Sequence, residues 1–260
     1  MRWCRFQAGN QVGYGLIEGS IVTAVTGTPF ERYGRTTTTY PLSEVRLLVP
    51  VIPPTFYAAG VNFREHVTAI ARQQGVEPQF PPHADVGYRA NNALIATDEP
   101  IVIPRDATEM VQYEGELVAV IGRQCRRVSE ADALNYVLGY TIGNDVSERT
   151  WQRADRTLWR AKNTDTFKPM GPWIVTDLDP DALQVTIRLN GKEMYSYSMA
   201  SAIFSVRQFI SRMSQYLTLV PGDVLWMGTD GATENMKHGD VVEIDVPGIG
   251  VLRNPVVRER

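Results

Sequence analysis

Between Tyr113 and Gly122 the chain reads Tyr113-Glu114-Gly115-Glu116-Leu117-Val118-Ala119-Val120-Ile121-Gly122. The second half is an unbroken apolar, largely β-branched run, which reads as a strand buried on both faces. Two carboxylates open that strand at i and i+2. Side chains alternate along a strand, so Glu114 and Glu116 project from one face, with Cα atoms roughly 6.7 Å apart. Like charges at the mouth of a buried strand are costly unless something neutralises them. A hard divalent cation does this well, because Mg²⁺, Mn²⁺ and Ca²⁺ take carboxylate oxygens. The competing reading is an exposed edge strand with two solvated glutamates, the commoner fate of carboxylates.

A chain of 260 residues can bury a sizeable core as one large domain, or as a main domain with a small appendage. The net charge of −3 offers no broad cationic footprint, so a nucleic-acid partner is not expected. No apolar run approaches membrane-spanning length and no signal-like segment follows Met1, so the cytoplasm is the expected location and no membrane partner is expected. Cys4 and Cys125 form no metal or redox motif and read as buried free thiols.

In the first 50 residues Trp3 to Phe6, Val12 to Ile17 and Ile21 to Val25 read as short strands, with Thr36 to Pro41 as loop. The proline-rich joint Val49-Pro50-Val51-Ile52-Pro53-Pro54 separates this small β-rich unit, 1–50, from the main body, 51–260. There Thr55 to Gly60 reads as a strand and Val67 to Gln74 as a helix ended by Gly75. The polar, proline-rich stretch 76–93 reads as a lid or binding loop. Ser129-Glu130-Ala131-Asp132 resembles a capping box opening a helix to about Tyr136. Tyr140 to Val146 is a strand ending in Asp145, Ser147 to Leu158 a polar helix, and Lys162 to Gly171 a loop. Leu183 to Leu189 followed by Asn190-Gly191 forms the first arm of a hairpin, and Phe204 to Leu217 carries a helical apolar stripe. The expected class is α+β, mainly β.

Glu114, Glu116 and Asp145 can meet at one sheet end, and three carboxylates with room for water or substrate are how Mg²⁺ is usually held. Nothing in the Cys and His spacing suits zinc. Arg89, Arg149, Lys162 and Lys168 are candidate anion contacts if they converge there, and surface charges if they do not. His66, at the start of the lid helix, is a candidate base set against the commoner structural histidine. His83 reads as a surface residue and His238 as a structural one. Gly228-Thr229-Asp230-Gly231 is either a plain turn or a set of N–H groups and a hydroxyl aimed at an anion. The residues by themselves point to a divalent-metal enzyme for a small anionic substrate.

The chain also resembles the fumarylacetoacetate hydrolase family in a series of blocks that keep the family's order. These are Gly60-Val61-Asn62-Phe63 with His66; Tyr113 to Leu117; Gly139-Tyr140 with Asn144 to Ser147 and Arg149; Lys162 with Phe167 and Pro169 to Pro172; Leu189-Asn190-Gly191; Leu219 to Val224 with Gly228-Thr229; and His238 to Val242 with Gly248-Ile249-Gly250. The resemblance implies a mixed β-roll, a less regular N-terminal unit and a homodimer. It implies Mg²⁺, or Mn²⁺, bound by Glu114, Glu116 and Asp145, and a 2-oxo or 2,4-dioxo acid as the small-molecule partner. By the same resemblance Lys162 and His66 are catalytic, and Arg149, Gln152 and Thr229 contact substrate; Arg89 is expected to contact it as an anion-binding cation. The metal would act as a Lewis acid for an enolate, which serves hydrolysis, decarboxylation and tautomerisation alike.

Where the chain departs from the family pattern, the reaction is affected. The resemblance implies a glutamate three residues after the lid histidine, the pair that activates water in the family's hydrolases, and that position is Ala69. Glu65 is adjacent to His66 and does not share its helix face; Glu77 and Asp85 in the 76–93 loop are further candidate acids. The family's lysine between lid and metal strand is Arg89, and its late Thr-Pro is Thr229-Asp230. Hydrolytic C–C cleavage of an acylpyruvate-like acid stands first on the family's broad label. Decarboxylation or keto–enol isomerisation of a 2-oxo dicarboxylate is the close alternative, and a member that binds a metabolite without turnover is the third. Trp151, Trp159 and Tyr88 are expected to read the far end of the substrate.

Overall fold

The Gly115–Ile121 strand is buried at every residue. It lies between Val137–Asn144 and Val224–Trp226, antiparallel to both, in the middle of a twelve-stranded sheet. The computed structural model describes residues 1–231 and 234–260. Alternation along the central strand feeds two cores. Leu117, Ala119 and Ile121 enter the larger one, and Val118 and Val120 pack with Phe56, Trp226, Met170 and Ile174 in the other. The larger core is closed by a second, five-stranded sheet, which supplies Val185, Ile187 and Ile244 from Gln184–Leu189 and Val241–Val246. The result is a β-rich roll with helices at its margins, in keeping with the expected class.

The two sheets approach each other closely beside the carboxylates. A Cβ built on Gly115 would lie 2.7 Å from Ile187 Cγ1 and 3.0 Å from Ile244 Cγ2. Only glycine fits between Glu114 and Glu116 without pushing the sheets apart.

The N-terminal strands form a meander, Arg2–Ala8, Gln11–Glu18, Ile21–Thr26 and Gly34–Pro41, that joins the large sheet where Arg2–Ala8 pairs with Lys168–Val175. The segment expected as loop at Thr36 to Pro41 is therefore a strand. Its threonines are β-branched and pair with Ile21–Thr26, so strand propensity outweighs the lack of apolar residues.

The described residues form four α-helices: α1 (Arg64–Gln74), α2 (Arg149–Ala154), α3 (Trp159–Asn163) and α4 (Val206–Tyr216). The stripe of α4 buries Val206, Phe209, Ile210 and Met213, and Ser205 with Gln208 makes a reciprocal capping box. At Ser129 the cap forms, Ser129 Oγ accepting the Asp132 N–H at 3.2 Å. Only a 3₁₀ turn follows, Ala133–Tyr136, because the next residue already enters the Val137–Asn144 strand. The single helix expected over Ser147 to Leu158 is two short ones. Asp155 ends α2, Leu158 turns the chain at φ 56°, and the Asp155 carboxylate accepts the Ala161 N–H at 3.1 Å. Lys162 thus sits on a helix, where the sequence suggested a loop. Among the described residues no helix is long and apolar enough to cross a membrane.

Candidate metal centre

Two strand ends carry the carboxylates, and they are bolted together. The Glu114 N–H donates to Asn144 Oδ1 at 2.9 Å, and the Asp145 N–H to Glu114 O at 2.8 Å. Glu116 is one pleat along the central strand from Glu114. Glu114, Glu116 and Asp145 are all buried, and each offers an oxygen within 4.8 Å of the others. Such a donor set, hard oxygens at close range with no nitrogen or sulfur, fits Mg²⁺ or Mn²⁺.

Four cations crowd the same carboxylates. Arg89 lies across Asp145 with Nε 3.2 Å from Oδ1 and Nη2 2.8 Å from Oδ2. Lys162 Nζ sits 2.8 Å from Asp145 Oδ2 and also donates to Glu114. Arg149 Nη2 meets Glu114 Oε1 at 2.7 Å, while its Nε and Nη1 hold Gln112 and Gln152, each at 2.8 Å. Lys168 is fully buried, with Nζ 2.7 Å from Asp145 Oδ1, 2.9 Å from Val146 O and 2.8 Å from Phe167 O. It is a strut behind Asp145 rather than the substrate contact suggested by sequence.

Electrostatics separate the three acids. Burial pushes the Glu114 carboxyl upward, but Arg149 and Lys162 outweigh it and hold the group down at about 2. Asp145 likewise resists burial, held well below the carboxylate range by Arg89, Lys162 and Lys168. Glu116 goes the other way. Burial, with the Asp145 and Glu114 charges beside it, raises it to about 8 against the help of Lys162 and of the Gly228 N–H, which lies 2.7 Å from Oε2. The carboxylate least supported by protein cations is the one that gains most from a bound divalent ion.

Above the carboxylates is a cavity of about 200 Å³ whose wall includes His66, Arg89, Arg149, Gln152, Lys162 and Thr229. The sequence's metal-ligand candidates Glu114, Glu116 and Asp145 line the same space as His66, Lys162, Arg89, Arg149, Gln152 and Thr229, while Lys168 does not. Burial lowers the His66 pKa, with Arg149 and Lys162 adding to this against the pull of Glu114, so the imidazole is neutral at pH 7. Among the described residues no carboxylate is bonded to its ring; Ala69 is exposed on α1. Thr229 Oγ1 lies 3.1 Å from the Tyr195 hydroxyl.

The three aromatics divide. Trp151 is buried under Arg160, whose guanidinium stands 4.4 Å from the ring centroid, and it takes no part in the cavity. Tyr88 and Trp159 line an open cleft of about 590 Å³ that shares Arg89 with the inner cavity. His83 is exposed, and His238 Nδ1 accepts the Arg258 N–H at 3.3 Å, as a structural residue would. One contributor escaped the sequence reading: Ser147, whose hydroxyl donates to Glu114 Oε2 at 3.3 Å, although it belongs to a quoted motif and was within reach. The Gly228 N–H does meet an anion, as one of the two readings of its loop had it, and that anion is the Glu116 carboxylate.

Residues 55–257 match the model of the fumarylacetoacetate (FAA) hydrolase C-terminal domain, and residues 1–50 match that of the Rv2993c-like N-terminal domain. Protein Rv2993c of Mycobacterium tuberculosis is 38% identical over 269 residues, covering 100% of this chain and 99% of its own. The oxaloacetate tautomerase YisK of Bacillus subtilis is 32% identical over 229 residues, covering 84% of this chain and 75% of its own. The crystal structure of a 5-carboxymethyl-2-hydroxymuconate delta-isomerase from Mycobacterium smegmatis superposes with a TM-score of 0.90 at 38% identity, over 100% of both chains.

Proposed function

Because this chain belongs to the fumarylacetoacetate hydrolase family, we propose that it is a divalent-metal-dependent enzyme that moves a proton on a small 2-oxo acid, interconverting keto and enol forms or shifting a double bond in a 2-oxo dicarboxylate. The observation that carries this reading is His66, a neutral imidazole on the cavity wall with no carboxylate bonded to its ring among the described residues. Proton transfer needs a base and a fixed substrate. Hydrolysis, which the sequence puts first, needs an activated water as well, and an imidazole without an acid partner is the poorer base for that. The activities for which two relatives are named, a tautomerase and a delta-isomerase, support the same choice.

Mg²⁺ or Mn²⁺ held by Glu114, Glu116 and Asp145 would supply Lewis acidity at the oxygen of the 2-oxo group. Gln152, its carbonyl fixed by Arg149, keeps its amide NH₂ for a substrate carboxylate. Arg89 and Thr229, which line the same cavity, take the far carboxylate. An imidazole nitrogen of His66 removes the C3 proton, and the C3–H electron pair becomes the C2–C3 double bond. The carbonyl oxygen receives a proton from the Lys162 ammonium, and both groups reset through solvent. No water is consumed, and substrate and product are isomers.

The test is turnover of oxaloacetate, acetylpyruvate and an enol dicarboxylate under Mg²⁺, read by NMR, with Glu116→Ala as control. The expected result is faster keto–enol exchange or a shifted double bond, lost in Glu116→Ala, with acetylpyruvate intact. Pyruvate plus acetate from acetylpyruvate would overturn the reading in favour of hydrolysis, and CO₂ from oxaloacetate in favour of decarboxylation.

A further inference from the structure

Helix α1, which carries His66, begins without a cap of its own: Phe63 stands at the N-cap position and no side-chain cap bond forms there. Its first turn therefore presents N–H groups that need acceptors. One of them, the His66 N–H, is taken by Asp230 Oδ1 at 3.2 Å, from a loop far along the chain. The next residue closes on the imidazole. A Cβ built on Gly231 would lie 3.3 Å from His66 Nδ1, and Gly231 holds a φ of +130° that side chains rarely adopt.

The same loop touches the carboxylate cluster. Gly228 donates its N–H to Glu116 Oε2 at 2.7 Å. Just before it, Met227 O accepts from the side-chain amide of Asn62, at 2.9 Å, and Asn62 directly precedes the N-cap of α1. The Met227 to Gly231 segment is thus held to a candidate metal ligand at one end and to the first turn of α1 at the other.

We infer that Asp230 is a positioning residue: its carboxylate docks the first turn of α1 onto this loop and so sets where His66 stands over the carboxylates. A negative charge at a helix N-terminus is favoured by the aligned peptide dipoles, and a carboxylate accepting from a backbone N–H makes a charge-assisted bond. Other acids near the lid are differently placed. Glu65 is exposed, and Asp85 Oδ1 accepts the Val86 N–H at 3.0 Å. With Ala69 in the lid helix, the acid that reaches His66 comes from the Met227 to Gly231 loop and acts on its backbone. The role of His66 in this inference rests on the proposed function; the docking of α1 does not.

The experiment compares Asp230→Ala and Asp230→Asn in the full chain, and Asp230→Ala again in a His66→Ala background, by amide hydrogen exchange of α1 and by kcat and KM under Mg²⁺. Asp230→Ala is expected to raise exchange at the His66 and Val67 amides roughly tenfold or more. It should lower kcat about tenfold, with KM changed less than about threefold. Asn keeps an acceptor oxygen and should recover most of both. In the His66→Ala background, Asp230→Ala should cost no further kcat. Unchanged α1 exchange in Asp230→Ala would overturn the docking whatever the activity. Equal kcat losses in the two backgrounds would overturn positioning through His66. Faster exchange together with a fully active His66→Ala protein would instead count against the proposed role of His66, leaving the docking in place.

Discussion

The Arg89 guanidinium grips both oxygens of Asp145, Nε at 3.2 Å and Nη2 at 2.8 Å, and it reaches them from the proline-rich stretch that the sequence marks as a lid. A cation fixed on a candidate metal ligand has two opposed effects. It orients the carboxylate, and its charge repels an incoming divalent ion. Asp145 has two further cations, Lys162 and Lys168, to hold it in place. Arg89→Met is therefore expected to leave Mn²⁺ affinity unchanged or up to about tenfold tighter, while KM for a 2-oxo dicarboxylate rises about tenfold or more. Mn²⁺ titration by electron paramagnetic resonance alongside steady-state kinetics checks both. Loss of Mn²⁺ binding would show that Arg89 serves chiefly to build the metal site.

Glu116 differs from its two neighbours because, among the described residues, no Arg or Lys side chain bonds it, and its Oε2 accepts the Gly228 N–H. The substitution Glu116→Gln removes a ligand charge while sparing the salt bridges on Glu114 and Asp145. The variant should fold with a Tm equal to or above that of the parent, since a buried carboxyl raised to about 8 is a cost to the folded state without metal. Its Mn²⁺ affinity should fall at least about a hundredfold, and turnover with it. Calorimetric metal titration and a melting curve in chelator separate the two effects. Undiminished metal binding would remove Glu116 from the ligand set.

Gly115 stands between two ligand candidates and under Ile187 and Ile244. Adding one methyl group there demands that the five-stranded sheet retreat. Gly115→Ala is expected to lose about 1–3 kcal/mol of stability, the range for overpacking a tight core. The shift should also displace Glu114 and Glu116 and weaken Mn²⁺ binding, and Ile187→Ala in the same chain should restore part of both. Denaturant melts and metal titrations on the single and double variants measure this. A Gly115→Ala protein as stable as the parent would mean that the sheets slide apart at no cost.

Legibility in the sequence followed the range of the interactions. The Gly115–Ile121 strand was readable because its burial is written in consecutive residues, and Glu114 and Glu116 because strand alternation places i and i+2 together. Asp145 needed only the end of a second strand, and the strand-like stretch from Tyr140 to Val146 supplied that. Lys168 was not readable. A lysine beside a proline looks like a loop charge, and its burial exists only because Lys168–Val175 runs beneath Asp145, a long-range fact. The break between α2 and α3 was hidden for a related reason. No glycine or proline marks it, and what makes it is a left-handed Leu158 and an aspartate capping a later turn. Trp151 and Trp159 differ by eight positions and nothing local tells which one is covered; the first joins the larger core with Arg160 over its ring, and the second stays exposed.

Cys4 gives the pH dependence its clearest sign. Its thiol is fully buried among Phe6, Ile17 and Val22, with Sγ 3.6 Å from Gly15 O. Burial raises its pKa from 9.0 to about 12, only partly offset by hydrogen bonds from its own backbone and that of Gly15. In the unfolded chain the thiol ionises near its ordinary value, whereas the folded one stays protonated until about 12. Above pH 9 the unfolded state therefore binds fewer protons than the native state, and stability falls as pH rises. The limiting slope for one such group is about 1.4 kcal/mol per pH unit. Cys4→Ala removes this titration while leaving those of Cys125, Tyr14 and Tyr140 in place, so these cancel in the difference between the two proteins. Urea unfolding at a series of pH values from about 8 to 10 should show Cys4→Ala less stable at the low end by about 1 kcal/mol, the cost of a lost buried sulfur. The gap should narrow through pH 9 and close or reverse by about pH 10. Parallel curves for the two proteins would show that the Cys4 thiol ionises equally well in both states, and hence that water reaches the core beneath the N-terminal strands.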